Sequence, residues 1–313
     1  MSLTIAISGL FQKFLLTGLI WNFLFPYIQI IILALIIKSS RKSKTLIACS
    51  TIIGLLVILD FGFRIYSNTN ISSSGTEKEM KIMSYNLYFK NRTPMKTISV
   101  IKKANPDILF VQELTPNWKN EINKSLGHIY KYKIIKPLTG THGIGIYSKH
   151  KLSNQKYLNN SRKKPFAQIV DLSINKKKIQ LINTHLSSPA IAVENKDNFF
   201  PLYLKNYRTR MNQVIKINEL AQTEESKYNC QLLVGDLNTL YSEPIYKRIK
   251  IKWVNSFKNP FRWMDFNFPN SSRIQPVMTL DYIMGRGKLK FKNSSVINGG
   301  SSDHLPILTE IKI

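Results

Sequence analysis

Apolar and polar positions follow two different patterns along the 313-residue chain. Phe14–Ile37, FLLTGLIWNFLFPYIQIIILALII, is a run of 24 residues without a charged side chain. At about 1.5 Å per helical residue it exceeds the roughly 30 Å hydrocarbon core of a bilayer, which predicts a membrane span kinked at Pro26. Thr45–Phe63 predicts a second, shorter span, with Asp60 near its end where a carboxylate can reach the headgroups. Between them Lys38–Lys44, KSSRKSK, holds four basic residues in seven; a short basic loop stays cytoplasmic and directs the rest of the chain outward. Met1–Gln12 stays open as a third span, an interfacial helix or a frayed end. A cleaved signal peptide is the weaker reading, because no Lys or Arg precedes Lys13 and there are two apolar runs where a signal needs one.

Beyond this point the apolar runs shorten. SNTNISSSGT, Ser67–Thr76, is polar, small and uncharged, as a flexible tether would be. MKIMSYNLYF predicts a strand, PMKTISVIKKANPD a helix stopped at Asn105-Pro106, and ILFVQEL a buried strand ending at Glu113. FAQIVDLSI and KIQLINTHL flank a lysine-rich turn, Asn175–Lys178, and predict an antiparallel hairpin. YRTRMNQVIKINELAQTEE has helical spacing, while QLLVGDLN, TLDYIMG and LPILTEIKI predict strands. The lysines alternating through GKLKFKN suit the wet face of an edge strand. This alternation predicts an α/β or α+β domain. The expected division is a membrane anchor over 1–66, a polar linker over 67–80 and a catalytic domain over 81–313.

Charge adds a constraint on partners. Residues 67–313 carry 39 Lys and Arg against 17 Asp and Glu, a net of +22. Such a surface attracts nucleic acid, anionic headgroups or phosphorylated substrates, without choosing among them. Cys230 stands alone outside the apolar runs, so the outer region can form no internal disulfide and must be stabilised by its core.

Polar residues recur where apolar runs stop: Asn86 in SYN, Glu113 in VQEL, His185 in NTHL, Asp236 and Asn238 in GDLN, Asp281 in TLDY, and the pair Asp303-His304. Singly, each has an ordinary structural use: a turn cap, a solvated strand end, a core histidine or an Asx turn. Asp281 is the hardest to place so, because a carboxylate in a buried strand needs a partner. Together they supply what phosphate-ester hydrolysis requires: acids for a cation and an activated water, and amide and imidazole donors for phosphoryl oxygens. Magnesium suits such a set, whereas zinc does not, since closely spaced His/Cys pairs are missing.

The ordered set SYN, QE, NTHL, GDLN, LDYIM and SDHLP resembles the endonuclease/exonuclease/phosphatase superfamily over nearly all of Lys81–Ile313, departing only at Leu237, where phenylalanine is more usual. The resemblance implies a four-layer α/β/β/α sandwich with the site at one edge, where the sheets meet. It implies Glu113 as the main magnesium ligand (manganese being a substitute), with Asn86 and Asp303 assisting. Asp236 would orient or deprotonate the attacking water, Asn238 would position the phosphate, and His185 would donate to phosphoryl oxygens or the leaving group. Asp281 would fix the tautomer of His304 and raise the basicity of its ring, and either Asp236 or His304 would take the proton of the water. His142 in GTHG, and Arg208 and Arg210 beside the aromatic segment NFFPLYLKNYRTR, are further substrate-binding candidates; NPFRWMDFNFP is a second aromatic segment where substrate loops are expected.

The anchor is similar to that of a membrane-bound bacterial branch of the superfamily, which implies a lipid-linked or membrane-proximal phosphorylated substrate handled on the outer face of the cytoplasmic membrane. A surface nuclease acting on DNA or RNA is the alternative, and a non-catalytic membrane protein that binds anionic ligands is a third. No protein partner is evident.

Overall fold

The computed structural model describes residues 79–241, 243–257, 265–271 and 276–313. Both expected spans, the basic loop and most of the linker lie outside the described residues. Among the described residues no helix is long and apolar enough to cross a membrane. The chain divides into two compact units, and the architecture below is that of the larger: Ser73–Tyr241, Ile245–Phe257 and Phe261–Ile313.

Among the described residues twelve strands form two six-stranded mixed sheets. The first has the order β11 (Lys290–Val296), β12 (Ile307–Lys312), β1 (Glu79–Asn86), β2 (Ile108–Gln112), β4 (Ile144–Ser148), β3 (Tyr132–Lys136). The second runs β5 (Leu152–Asn159), β6 (Pro165–Ile174), β7 (Lys177–His185), β8 (Cys230–Asp236), β10 (Asp281–Gly287), β9 (Val254–Asn255). Among the described residues only β1/β2 and β7/β8 pair in parallel. Each parallel pair needs a crossover, supplied by α1 (Pro94–Ala104) in the first sheet and by α3 (Ala190–Glu194) and α4 (Phe199–Thr223) in the second.

The two-residue period of each strand sorts side chains into layers. Ile82, Phe110 and Ile146 of the first sheet pack with Val170, Leu181, Leu232 and Ile283 of the second to form the middle of the sandwich. The alternate positions Met83, Leu109 and Val111 face outward onto Ile98 and Ile101 of α1 and Trp118 and Ile122 of α2 (Pro116–Leu126). Ile182, Leu233 and Met284 likewise meet Val214 and Ile217 of α4 and Ile245 and Ile249 of α5 (Pro244–Lys250). Three apolar layers between four layers of secondary structure make an α/β/β/α sandwich.

Local chemistry explains most element ends. α1 starts on Pro94 and stops where Asn105 turns left-handed and its N–H bonds Ile101 O at 2.9 Å. The β6–β7 hairpin closes on Asn175 and Lys176, both with positive φ, as a two-residue turn requires. β11 is an edge strand with its lysines Lys290 and Lys292 outside the apolar middle layer. Several elements, β3, β5, β9, α3 and α5 among them, have no expected counterpart, and two more depart from expectation instructively. α2 was not foreseen: only Trp118, Ile122 and Leu126 face inward in a polar stretch, and Thr115 caps it by accepting from Trp118 N at 3.1 Å. The segment NFFPLYLKN is not a loop but the start of the 25-residue α4; Pro201 falls in its first turn, where a missing N–H costs no hydrogen bond.

One polar layer interrupts the apolar middle. Gln112 of β2 donates across the gap to Asn183 Oδ1 of β7 at 2.8 Å, and Asn183 Nδ2 donates to Val111 O at 3.1 Å and Gly145 O at 2.8 Å. Both side chains are fully buried. Replacing Asn183 with Leu leaves a buried amide and carbonyls without these partners, and urea denaturation should show a loss on the order of 3 kcal/mol. The double variant Gln112→Leu/Asn183→Leu should recover part of it.

Candidate active site

The strand register gathers polar residues at one end of the sandwich. Asn86 ends β1, Gln112 ends β2, His185 ends β7, Asp236 ends β8 and Asp281 begins the antiparallel β10; Asp236 is in register with both His185 and Asp281. Each continues the parity of the apolar residues that fill the middle layer, so the face that is apolar along most of each strand becomes polar at this end. Gly235 makes the close approach there feasible: at φ 136° a side chain is disfavoured, and a Cβ would sit 2.0 Å from Thr184 O.

Asp236 is the hub. Its Oδ1 accepts from Asn238 N at 2.8 Å, and its Oδ2 accepts from Asn86 Nδ2 at 3.1 Å and Asn238 Nδ2 at 3.2 Å. His185 Nε2 lies 3.5 Å and His304 Nε2 3.9 Å from the same Oδ2. His185 Nδ1 lies 3.0 Å from Thr141 O; a carbonyl only accepts, so Nδ1 carries the hydrogen and Nε2 faces Asp236. Burial, reinforced by the neighbouring Asp281 charge, raises the Asp236 pKa, against the pull of His304 and His185.

Asp281 Oδ2 and His304 Nδ1 lie 2.6 Å apart, both buried. Burial opposes the imidazolium, but the carboxylates of Asp281, Asp236 and Asp303 outweigh it and raise the His304 pKa to about 10. Asp236, Asp281 and His304 could each offer a ligand atom to one metal ion, these atoms lying within 4.8 Å of one another. The short Asp281–His304 contact argues instead for a carboxylate–imidazole dyad, with both groups directed at each other.

The acids on the other side are oxygen donors. Glu113, in a left-handed conformation (φ 57°), accepts from Phe89 N at 2.8 Å and from Asn86 Nδ2 at 3.4 Å. A non-glycine residue held in this region is strained, and such strain gathers at functional sites. Asp303 is half-buried; its pKa is raised by desolvation and by Glu113 and Asp236, and held back by His304. Glu113 and Asp236 crowd Asp303 with like charge, which a cation would relieve, and Asn86, Glu113 and Asp303 offer the oxygen atoms that suit a hard divalent ion.

The structure thus brings together Asn86, Glu113, His185, Asp236, Asn238, Asp281, Asp303 and His304. His142 ends the 3-10 turn Gly140–His142, next to the carbonyl that receives His185; burial, then Lys164, His185 and Arg162, lower its pKa to about 4. Arg208 is exposed on α4. Arg210 needs correction: it is fully buried and its guanidinium donates to the backbone carbonyl of Asn238, so it does not reach substrate. Two residues escaped sequence reasoning. Ser302 donates to Asn86 O at 2.6 Å and accepts from His304 N at 3.2 Å, tying the dyad to β1; its position directly before Asp-His was the available signal. Asn267 donates to Asp281 O at 3.3 Å, accepts from Leu280 N at 3.1 Å and receives Leu305 N on its carbonyl at 2.8 Å, a role only spatial pairing reveals.

The profile described as Endonuclease/Exonuclease/phosphatase family matches residues 83–304. No curated protein matches the sequence. Similar solved structures include truncated TDP2 of Caenorhabditis elegans, with 20% identity, TM-score 0.59, and 75% of this chain and 98% of that one covered. An endonuclease/exonuclease/phosphatase from Bacteroides vulgatus has 15% identity and TM-score 0.59, with 76% and 100% covered. TDP2 of D. rerio complexed with single strand DNA product has 16% identity and TM-score 0.60, again with 76% and 100% covered. At these identities the likeness is one of fold.

Folding raises the His304 pKa, so the stability drawn from its charge is complete below about pH 6.5 and is lost as the pH climbs through about 10. Thermal melts of the metal-free protein should fall over that window, with the fall reduced in His304→Gln. In Asp281→Asn, a ¹⁵N titration should find the His304 pKa moved down.

Proposed function

The chain belongs to the endonuclease/exonuclease/phosphatase family and is a metal-dependent phosphoester hydrolase, and we propose that it is membrane-anchored, uses magnesium, and cleaves a phosphate ester or pyrophosphate of a lipid-linked or membrane-proximal substrate. The observation that carries the chemistry is the convergence on Asp236 of two amides and two imidazoles from separate strand ends, with the Glu113 and Asp303 carboxylates alongside. The 24-residue uncharged run supports the anchor, and a basic loop after it supports an outward-facing catalytic domain. Tethering would hold the site close to bilayer substrates and raise its effective concentration there.

A magnesium ion held by Glu113, with Asn86 and Asp303 assisting, would neutralise phosphoryl oxygens. The side chains do the rest. Asp236, a carboxylate made more basic by burial, accepts the proton of the attacking water, while Asn238 fixes the carboxylate's orientation through two hydrogen bonds. His304, kept cationic by Asp281, is a donor toward phosphoryl oxygens rather than a base at neutral pH. His185, held by Thr141 O through Nδ1–H, turns Nε2 toward the site, from which its imidazolium form would donate to a phosphoryl oxygen or the leaving group.

A second reading is a nuclease. It is favoured by the net charge of +22 over residues 67–313, which suits a polyanionic backbone, and by the D. rerio relative crystallised with a single-stranded DNA product.

The purified protein, offered prenyl pyrophosphate, phospholipid, sphingomyelin and DNA, should hydrolyse a lipid phosphate with magnesium and not with chelator. Asp236→Asn should lower turnover by about 10²- to 10⁴-fold. Turnover of DNA alone would overturn the lipid reading. A reporter fused after Ile313 should signal outside the cytoplasm; a cytoplasmic signal would remove the outward-facing assignment.

A further inference from the structure

The helix α4 carries two polar side chains on a face that should be apolar. Arg210 and Gln213 are three residues apart, hence neighbours on one side of the helix, and both are buried; Val214 and Ile217 on the same helix belong to the apolar layer against the second sheet. A buried guanidinium carries a large desolvation penalty, and an apolar side chain would fill its place more cheaply. An apolar side chain, however, offers no donor.

Each polar group reaches a different site loop. The Arg210 guanidinium donates to Asn238 O, in the turn after β8. Gln213 Oε1 accepts from Ser187 N at 3.0 Å, in the turn after β7. The two turns are also joined to each other, since Asn238 Nδ2 donates to Leu186 O at 3.0 Å and Leu186 N to Asp236 O at 3.0 Å. Asn238 is left-handed, at φ 47°, and in that conformation its N–H points at Asp236 Oδ1, 2.8 Å away. Asparagine tolerates this region better than most residues, yet the conformation still has to be held.

We infer that Arg210 and Gln213 are positioning residues: one turn of α4 fixes the loops that carry His185 and Asp236, with Arg210 acting through Asn238 on the Asp236 carboxylate and Gln213 acting on the turn behind His185. Neither touches substrate. The inference rests on the site assignment above for its catalytic meaning, while its structural content can be tested without turnover.

Amide hydrogen exchange on the full-length protein provides that test. In Arg210→Met, exchange at Leu237–Asn238 should accelerate by about tenfold or more, and in Gln213→Leu the same should hold at Leu186–Ser187, with the core of α4 unchanged. Arg210→Lys, which keeps a cationic donor, should lie between wild type and Arg210→Met. Unchanged protection at both turns, or protection lost evenly along α4, would overturn the inference; if Arg210→Met does not fold, Arg210→Lys and Gln213→Leu decide. The kinetic arm uses bis(p-nitrophenyl) phosphate with magnesium. There Arg210→Met should lower kcat by about 10- to 100-fold with little change in KM, and adding Asn238→Ala should lower it hardly further. Fully multiplicative losses from Arg210→Met and Asn238→Ala would show that Arg210 does not act through Asn238. A protein inert toward every phosphoester would refute the hydrolase reading and leave the exchange result standing.

Discussion

A carboxylate stripped of water must be given hydrogen bonds or a counter-charge, and Asp236 draws both from its own turn and from the ends of three other strands. Asn86 reaches it from β1, Asn238 from its own turn, His185 from β7, and His304 from the segment before β12. Those strands belong to different sheets and are far apart in sequence. The sandwich is therefore the device that brings them together: without the middle apolar layer to fix how the sheets face each other, the acid would be left buried and unpaired. The same requirement explains the polar ends of otherwise apolar strands, where parity is kept and only the chemistry changes.

Much of this was legible in the chain. Period-two alternation and short apolar runs announced β1, β2, the β6–β7 hairpin, β8 and β10, because each buries at least one full face and leaves a clear pattern. The polar terminators Asn86, Glu113, His185, Asp236, Asp281 and His304 were visible as a set: each alone has an ordinary structural use, but together they supply the acids and donors that phosphate-ester hydrolysis requires. What failed was instructive in physical terms. α2 hides because three inward residues among seven polar ones suffice to dock a surface helix. Arg210 misled because an arginine beside aromatic residues suggests a substrate loop, and only the rotation of α4 about its axis shows that the guanidinium points inward. Asn267 gave no signal, since its meaning lies in which backbone groups surround it.

The fold by itself selects no substrate, for one sandwich can serve many phosphate esters. Selection must arise outside the Asp236 cluster, from rim elements. Phe200 at the start of α4 is half exposed, and Phe199 stacks on Tyr203 with ring centroids 5.6 Å apart. The basic turn bearing Arg162 and Lys164 acts electrostatically on His142, beside the carbonyl that orients His185. The first group is aromatic and the second cationic, and both lie outside the cluster of residues gathered around Asp236.

The buried amide pair Gln112–Asn183 has a mechanical corollary. Asn86 and Glu113 travel with the first sheet, whereas His185, Asp236 and Asp281 travel with the second, so the reacting groups are split between two slabs whose greasy contact would tolerate slippage. A directional bond at the site end of that contact acts as a dowel, resisting slippage of one slab past the other where the reacting groups meet.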